Sequence, residues 1–198
     1  MFVNTGARDE DVQINGVSHF LEHMMFKGST KYTWEDVNRI FDEMGARYNA
    51  FTSQEMTAYY ANVLPEFTER TIEHLAHLLR PAIRTEDFTT EKKVILEEIA
   101  MYLDDPGHRL YEKLMDVHFG NHPLSLSVLG SADSIKRPTS ESFRTSHDKA
   151  VIPSSRKAAS FSLGSVTSPT SSHATGGRRT GVRSPPFPNT VIASSMTS

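Results

Sequence analysis

Two histidines and a glutamate stand close together near the start of the chain, in the run His19-Phe20-Leu21-Glu22-His23. In a helix, His19 and His23 would share one face, with their Cβ atoms about 5–6 Å apart. Two imidazoles at this spacing can both bind one zinc ion, with bonds of about 2.0–2.1 Å. Glu22 would flank the same face, where it could accept a proton from a zinc-activated water and return it to a leaving amine. The spacing therefore predicts metal-assisted hydrolysis with Glu22 as the general base.

The same five residues also fit an interpretation without chemistry. A pair of histidines four residues apart is often only a solvated pair on a helix surface. Because the chain has nine histidines in 198 residues, a chance match to this pattern is expected in roughly a few per hundred such chains. The motif alone is therefore moderately specific, and a catalytic zinc site also needs a third protein ligand.

Three glutamates in a downstream helical segment are candidates for the third ligand. The chain contains no cysteine, so a metal must use His, Asp or Glu. Glu91 and Glu98 are seven residues apart and would share a helix face, whereas Glu97 is rotated from Glu98 by about 100°. All three could equally be solvating acids on the helix surface. His74 and His77 are rival ligands, but we expect them on the outer face of their own helix.

The elements that would position these groups indicate an α+β fold. Apolar residues recur with helical spacing in several segments, whereas the stretch from Tyr48 to Val63 predicts two strands joined near residues 53–55. Thr33 and Asp36 resemble a capping box at the start of a helix. The predicted helices are one over 11–26 with an early break at Asn15 or Ser18, one from Thr33 to Gly45, one from Pro65 to Pro81, one from Phe88 to Leu103 and, after a turn at 104–107, one through about Phe119.

The chain divides into two segments of different composition. All 24 acidic residues lie at or before Asp148, which gives residues 1–148 a net charge of −9 and leaves 149–198 with six basic residues and no acid. From Val151 onward, 27 of 48 residues are Ser, Thr, Gly or Pro. Such a segment buries too little apolar surface to offset its ordering entropy. We expect a folded domain over 1–165, with room for one strand in 151–166, and a disordered tail over 166–198.

Composition argues against two classes of partner. The net charge of −3 does not indicate binding to nucleic acid or membrane, and no stretch approaches the roughly 18 apolar residues that span a bilayer. The first residues lack the features of a signal peptide, so the cytoplasm is favoured as the location. Phe2 and Val3 run at once into a polar turn, and we expect an earlier strand to be missing. The oligomeric state stays open.

Short motifs along the chain, in order and at matching spacing, resemble the signature of the pitrilysin/insulinase zinc peptidases, the inverzincins. The likeness covers about residues 3–165 and is greatest for the processing-peptidase and bacterial insulinase-like branch. The motifs are Gly6-Ala7-Arg8-Asp9-Glu10, Gly16, the run from His19 to Gly28, Gly45 to Thr52, Thr57 to Tyr60, Leu64-Pro65-Glu66, Glu91, Val94 to Ile99, Asp104-Asp105-Pro106 and the run from His122 to Gly130.

The resemblance implies a role for each residue that matches the family's site. His19 and His23 match the two zinc-binding histidines, Glu98 matches the third zinc ligand and Glu22 matches the general base. Glu91 matches a nearby acid that supports the site. The resemblance thus implies one Zn²⁺ per chain and a zinc endopeptidase that acts on peptides or unfolded proteins.

The resemblance also implies how a substrate is held. The backbone of Asn49 and Ala50 matches a strand edge that takes up a peptide as an added strand. The implied domain has an antiparallel sheet covered by helices on one side and works with a second, zinc-free domain or subunit that supplies an Arg–Tyr pair. Neither is recognisable in the sequence, so the domain over 1–165 is expected to be truncated.

Two other interpretations stay open at this point. The first is an inactive fragment or a non-catalytic binding subunit that keeps the zinc site but lacks the second domain. The second is a purely structural metal site, which ranks lower because such a site usually has four protein ligands and no open position.

Overall fold

The computed structural model describes residues 1–151 and 191–192 and has a mixed α/β architecture. Short 3-10 turns connect several of its helices and strands. The elements are β1 (Phe2–Val3), α1 (Val17–Met25), α2 (Trp34–Glu43), β2 (Arg47–Thr52), β3 (Thr57–Asn62), α3 (Thr68–Leu78), α4 (Thr85–Leu103), α5 (Pro106–Phe119), α6 (Ala132–Lys136), α7 (Ser140–Val151) and β4 (Val191–Ile192).

An antiparallel sheet in the order β1-β3-β2-β4 contains the predicted hairpin at its centre. β2 and β3 pair along their whole length, from Arg47↔Asn62 to Thr52↔Thr57. Buried side chains of both strands pack with apolar residues of α2 and α3, so these two helices cover one face of the sheet. The predicted fold, an antiparallel sheet covered by helices, is confirmed.

Two buried apolar clusters form the core, and α1 contributes to both. The first joins α1 to α4, α6 and α7 through side chains such as Phe20, Ile95 and Phe143. The second joins the end of α1 to α2, α3 and the sheet, where Met25 and Phe41 are buried together. As a consequence, all nine residues of α1 are buried.

Helix α1 begins later than the sequence pattern predicts. Val12–Ile14 form a separate 3-10 turn, and the chain breaks at Asn15 and Gly16 before α1. Gly16 has a φ of +94°, and a Cβ there would lie 2.5 Å from the carbonyl oxygen of Leu129. This close approach and the left-handed backbone exclude one continuous helix from Asp11. Of the two expected break points, the structure has the earlier one.

The N-terminal ends of α2 and α5 show how nearby side chains define where a helix begins. Thr33 and Asp36 form the predicted capping box, in which Thr33 Oγ1 accepts from the Asp36 N–H (3.2 Å) and Asp36 Oδ2 accepts from the Thr33 N–H (3.1 Å). At α5, Asp105 Oδ1 accepts from the N–H of Gly107 (2.7 Å) and Pro106 occupies the first helical turn. The predicted turn at 104–107 is therefore shorter, because its last two residues already belong to α5.

Few of the predictions for the C-terminal part of the chain can be compared with the structure. The predicted disordered tail over 166–198 and the strand placed in 151–166 lie outside the described residues, except for Val151, which is the last residue of α7, and for Val191–Ile192. These two residues form β4 and pair antiparallel with Phe51 and Thr52 of β2. Within the described residues, no helix is long and apolar enough to cross a membrane.

Candidate metal centre

The two histidines of α1 and a glutamate of α4 meet where these helices pack against each other. The Nε2 atoms of His19 and His23 are 3.2 Å apart. Glu98 Oε2 lies 3.7 Å from Nε2 of His19 and 3.5 Å from Nε2 of His23. The structure thus brings together the three residues that the sequence suggested as ligands, with one potential ligand atom from each within 4.8 Å of the others.

The hydrogen bonding of His23 shows that this cluster suits a cation. Its Nδ1 lies 2.8 Å from Oε1 of Glu91, and a proton on Nδ1 donated to this carboxylate leaves the lone pair of Nε2 facing His19 and Glu98. Two zinc ligands with bonds of about 2.0–2.1 Å at a tetrahedral angle are about 3.3 Å apart. The observed separations of 3.2–3.7 Å fit that value, so the residues present suit a zinc ion.

Burial and charge also favour a cation at this position. Burial, reinforced by the adjacent His23, lowers the pKa of His19 well below its usual value, so this imidazole stays neutral, as a ligand must. Burial acts to lower the pKa of His23 too, but its hydrogen bond to Glu91 and the charges of Glu98, Glu91 and Glu22 outweigh burial and raise it. Burial raises the pKa of Glu98 against the opposing effect of His23. Three carboxylates around two imidazoles therefore produce a potential that attracts a cation.

Glu22 lies on the same helix as the two histidines and is fully buried. Its Oε2 accepts a hydrogen bond of 2.5 Å from Oγ1 of Thr52, at the end of β2, and Thr52 is also fully buried. Thr52 was not among the predicted site residues. Strand alternation could have found it, because Thr52 lies two residues after Ala50 and shares its buried side of the strand.

The two residues expected to hold a peptide lie in the middle of β2. Asn49 pairs with Tyr60 and Ala50 with Tyr59 on the β3 side. The Oδ1 atom of Asn49 accepts a hydrogen bond from the N–H of Ala50 (2.9 Å). On the other side of β2, β4 pairs only with the two residues that follow, so within 1–151 and 191–192 no strand pairs with this edge at Asn49 and Ala50.

The rival ligands lie elsewhere. Glu97 is exposed on α4, as the helix-face argument predicts. The expectation that His74 lies on an outer face is wrong. His74 is buried, and its Nε2 lies 3.1 Å from the carbonyl oxygen of Val37, so it is a hydrogen-bonded core residue. His77 is half-buried with its ring edge-on to Tyr32 (5.1 Å between centroids).

A loop over residues 6–10 connects the hairpin to the start of α1. The N–H groups of Ala7 and Arg8 in this loop donate to the carbonyl oxygens of Ser53 and Gln54, respectively (3.1 and 2.9 Å). At the other end of the loop, Glu10 accepts from the N–H groups of Gly16 and Ser18, both at 2.6 Å. Since Thr52 directly precedes the bonded turn, the loop fixes the distance between Thr52 and the helix that carries Glu22.

These features define a class of protein: an α/β domain in which one helix presents two histidines and an acid, a second helix presents a glutamate, and the cluster could hold a metal ion. Comparison with known proteins gives the family. The profile of the family described as Insulinase (Peptidase family M16) matches residues 1–132, and the chain belongs to this family.

A relative from Bacillus subtilis shows how much of a family member this chain covers. An uncharacterized zinc protease of Bacillus subtilis, YmxG, is 38% identical over 145 residues, which cover 73% of this chain and 36% of the relative. The chain therefore spans about a third of the length of the relative.

Solved structures show the same fold. A protease from Helicobacter pylori superposes with a TM-score of 0.72 at 24% identity, covering 76% of this chain and 37% of that protein. Pitrilysin superposes with a TM-score of 0.66 at 22% identity, covering 76% of this chain and 17% of that protein. The resemblance inferred from the sequence is confirmed, and the fold is pitrilysin-like.

Proposed function

We propose that the chain is the zinc-binding part of a metalloendopeptidase that hydrolyses bonds in peptides or unfolded proteins. The observation that carries the proposal is the convergence of His19, His23 and Glu98 on one point, with the buried acid Glu22 on the same helix. The relative in Bacillus subtilis bears the name zinc protease, which supports this class of chemistry.

Each residue of the centre has a role in this proposal. His19, His23 and Glu98 would hold one Zn²⁺, and Glu91 would orient His23 through the Nδ1 hydrogen bond. A bound zinc ion would act as a Lewis acid, which can lower the pKa of a water molecule to about 7. Glu22 would accept the proton on its carboxylate and return it to the leaving amine.

Thr52 gives the base a defined position. Its hydroxyl donates to one oxygen of Glu22, and both side chains are fully buried. A base whose orientation is fixed by its surroundings does not have to be reordered in each reaction cycle.

We further propose that a substrate peptide pairs with the edge of β2 at Asn49 and Ala50. The antiparallel pairing of β4 with Phe51 and Thr52, on the same edge, supports this mode of strand addition. A peptide paired with Asn49 and Ala50 would lie near the end of β2 that carries Thr52, and so near the acid to which Thr52 donates.

A second pitrilysin-type domain or subunit would complete the substrate site. The supporting observation is the length of the relatives, of which this chain spans about a third. The competing function is a non-catalytic binding subunit that keeps the zinc site.

Glu22→Gln is the decisive variant. We expect it to keep about one zinc per chain, since Glu22 is not among the converging ligands, and to lose cleavage of a quenched fluorescent peptide by about 10²–10⁴-fold. Zinc content by metal analysis and chelator-sensitive cleavage are the two measurements. Cleavage at the normal rate by the variant would contradict the role of Glu22.

A matched control and one further outcome complete the experiment. Glu97→Gln makes the same chemical change at an exposed position of α4 and should alter neither zinc content nor cleavage. A wild-type chain that binds zinc but cleaves no peptide, even when the C-terminal part of a relative is added, would favour the binding subunit.

A further inference from the structure

Lys27 lies just after α1 and ends a chain of charged contacts that reaches the metal centre. Its Nζ is 2.6 Å from Oε2 of Glu91. The other oxygen of Glu91, Oε1, is 2.8 Å from Nδ1 of His23. Ammonium, carboxylate and imidazole thus follow one another, and the last of them points its Nε2 at His19 and Glu98.

The position of Lys27 is fixed by its backbone. Its N–H donates to the carbonyl oxygen of Met24 (3.2 Å), and its carbonyl oxygen accepts from Nη1 of Arg84 (3.2 Å). Arg84 also donates to the carbonyl oxygen of Ser29 (2.8 Å). The backbone that carries the Lys27 side chain is therefore held by hydrogen bonds, and the contact of its ammonium group with Glu91 is a defined feature of the fold.

The environment of Glu91 makes this contact unlike an ordinary surface ion pair. Exposed pairs contribute little because water competes with them, but the side chain of Glu91 is only 4% exposed, against 28% for Lys27. Within the described residues, its ion-pair partners are His23 and Lys27. Glu98, a like charge, lies close enough to be influenced by Glu91.

We propose that Lys27 is a positioning residue of the metal centre: it holds Glu91 against Nδ1 of His23 and thereby sets how tightly the site binds zinc. The inference rests on the proposed function, because it takes His19, His23 and Glu98 as a zinc site. A dication attracts any nearby carboxylate. With Oε2 bound to Lys27, Glu91 cannot turn towards the ion without breaking a 2.6 Å contact. Lys27 thus keeps Glu91 as the support of a ligand and not as a fourth ligand.

The direction in which zinc affinity changes when Lys27 is removed distinguishes this positioning role from simple charge repulsion. Removing a positive charge near a cation site should tighten cation binding if only Coulomb forces act. Loss of a residue that positions a ligand's partner should weaken it, typically by 10–100-fold. The two explanations therefore predict changes of zinc affinity in opposite directions.

Lys27→Met is the test, because methionine keeps much of the apolar stem and removes the ammonium group. We expect the Kd for zinc, measured by competition with a chromophoric chelator, to rise about 10-fold. Lys27→Arg, which keeps a donor for Glu91, should restore most of the affinity. The matched control is Lys31→Met, which removes the same charge four residues later from an exposed side chain that lies over Tyr32, and it should leave the Kd unchanged.

A double mutant shows whether Lys27 acts through Glu91. In a Glu91→Gln background, Lys27→Met should cause no further loss of zinc affinity, with circular dichroism as the check that each variant is folded. An unchanged or tighter Kd for Lys27→Met in a folded protein would overturn the inference and leave the proposed function standing. A wild-type chain that binds no zinc would overturn both.

Discussion

Helices α1 and α5 are both regular helices, yet their surroundings are opposite. All nine residues of α1 are buried. None of the fourteen residues of α5 is buried, and three of its apolar side chains, Leu110, Leu114 and Val117, are 72%, 61% and 71% exposed. Helix α1 carries the candidate zinc ligands His19 and His23, whereas the described ligand cluster takes no residue from α5.

The two helices also start in different ways. Helix α5 has strong local signals, with Asp105 as its cap and Pro106 in its first turn. Helix α1 follows Gly16, which offers no side-chain cap, and its first turn is bonded instead to Glu10 of an earlier loop. Local sequence is thus sufficient to start the exposed helix, while contacts with an earlier loop start the helix that carries the candidate ligands. Packing on all sides of α1 then fixes the positions of the candidate zinc ligands.

We expect the largest loss of stability from a substitution that disrupts the packing of α1. Phe20 is fully buried between Phe88 and Phe143, with ring centroids at 4.9 and 4.5 Å. Phe20→Ala should lower the free energy of unfolding by about 3–5 kcal/mol because it opens a cavity in the core. Urea unfolding followed by circular dichroism measures the change.

Leu110→Ala is the matched change on α5. The side chain is 72% exposed, so its truncation should alter the free energy of unfolding by less than about 0.5 kcal/mol. Equal losses for the two variants would show that another part of the protein covers α5 in solution.

The second comparison concerns the two acids that start these helices. Glu10 accepts from two backbone N–H groups and from Nδ2 of Asn15 (2.8 Å) in a partly buried position, and we expect Glu10→Ala to cost about 2–3 kcal/mol. Asp105 is exposed, and Asp105→Ala should cost about 1 kcal/mol. Thermal unfolding of both variants gives the ranking, and a reversed order would contradict the claim that α1 depends on tertiary capping.

A smaller effect concerns pH and compares a buried histidine with an exposed one. Burial lowers the pKa of His74 below its usual 6.5, despite the hydrogen bond with the Val37 carbonyl, which acts to raise it. The unfolded chain therefore binds a proton at higher pH than the folded one. The stability linked to neutral His74 is complete above about pH 6.5 and is lost as the pH falls through the folded pKa.

His74→Gln removes this titration. The difference in unfolding free energy between wild type and variant should shrink as the pH is lowered from 7.5 to 5.5, as measured by urea unfolding at several pH values. His118→Gln, on the exposed surface of α5, is the control for loss of one imidazole. A constant difference for His74→Gln over this range would refute the linkage.

Much of the fold follows from patterns within single segments. The capping box at Thr33, the hairpin from Tyr48 to Val63 and the shared helix face of Glu91 and Glu98 each depend on residues close in sequence, and the structure has all three. The buried position of His74 also follows from a local pattern. With Thr71, Leu75 and Leu78 it forms a buried stripe at spacings of three, four and seven residues.

The support of the site could not be predicted in this way. Thr52 reaches Glu22 across 30 residues, and Lys27 lies 64 positions before Glu91 in the sequence. Each of these contacts depends on how elements pack. Strand alternation can place Thr52 on the buried side of β2, but no local pattern reports its contact with Glu22 or the contact of Lys27 with Glu91. The candidate ligands and the supporting acid Glu91 were therefore predictable, whereas the contacts of Thr52 and Lys27 were not.

The close contact at the start of α1 has a consequence for the order of events during synthesis. A Cβ on Gly130 would lie 2.2 Å from the carbonyl oxygen of Asn15, and the same oxygen accepts a hydrogen bond from Oγ of Ser134 (2.7 Å). The helix with both histidines is thus seated by residues made more than 110 positions later. A ribosome must extend the chain past Ser134 before this contact can form, so we expect His19 and His23, the candidate ligands, to reach their final positions only late in translation or after it.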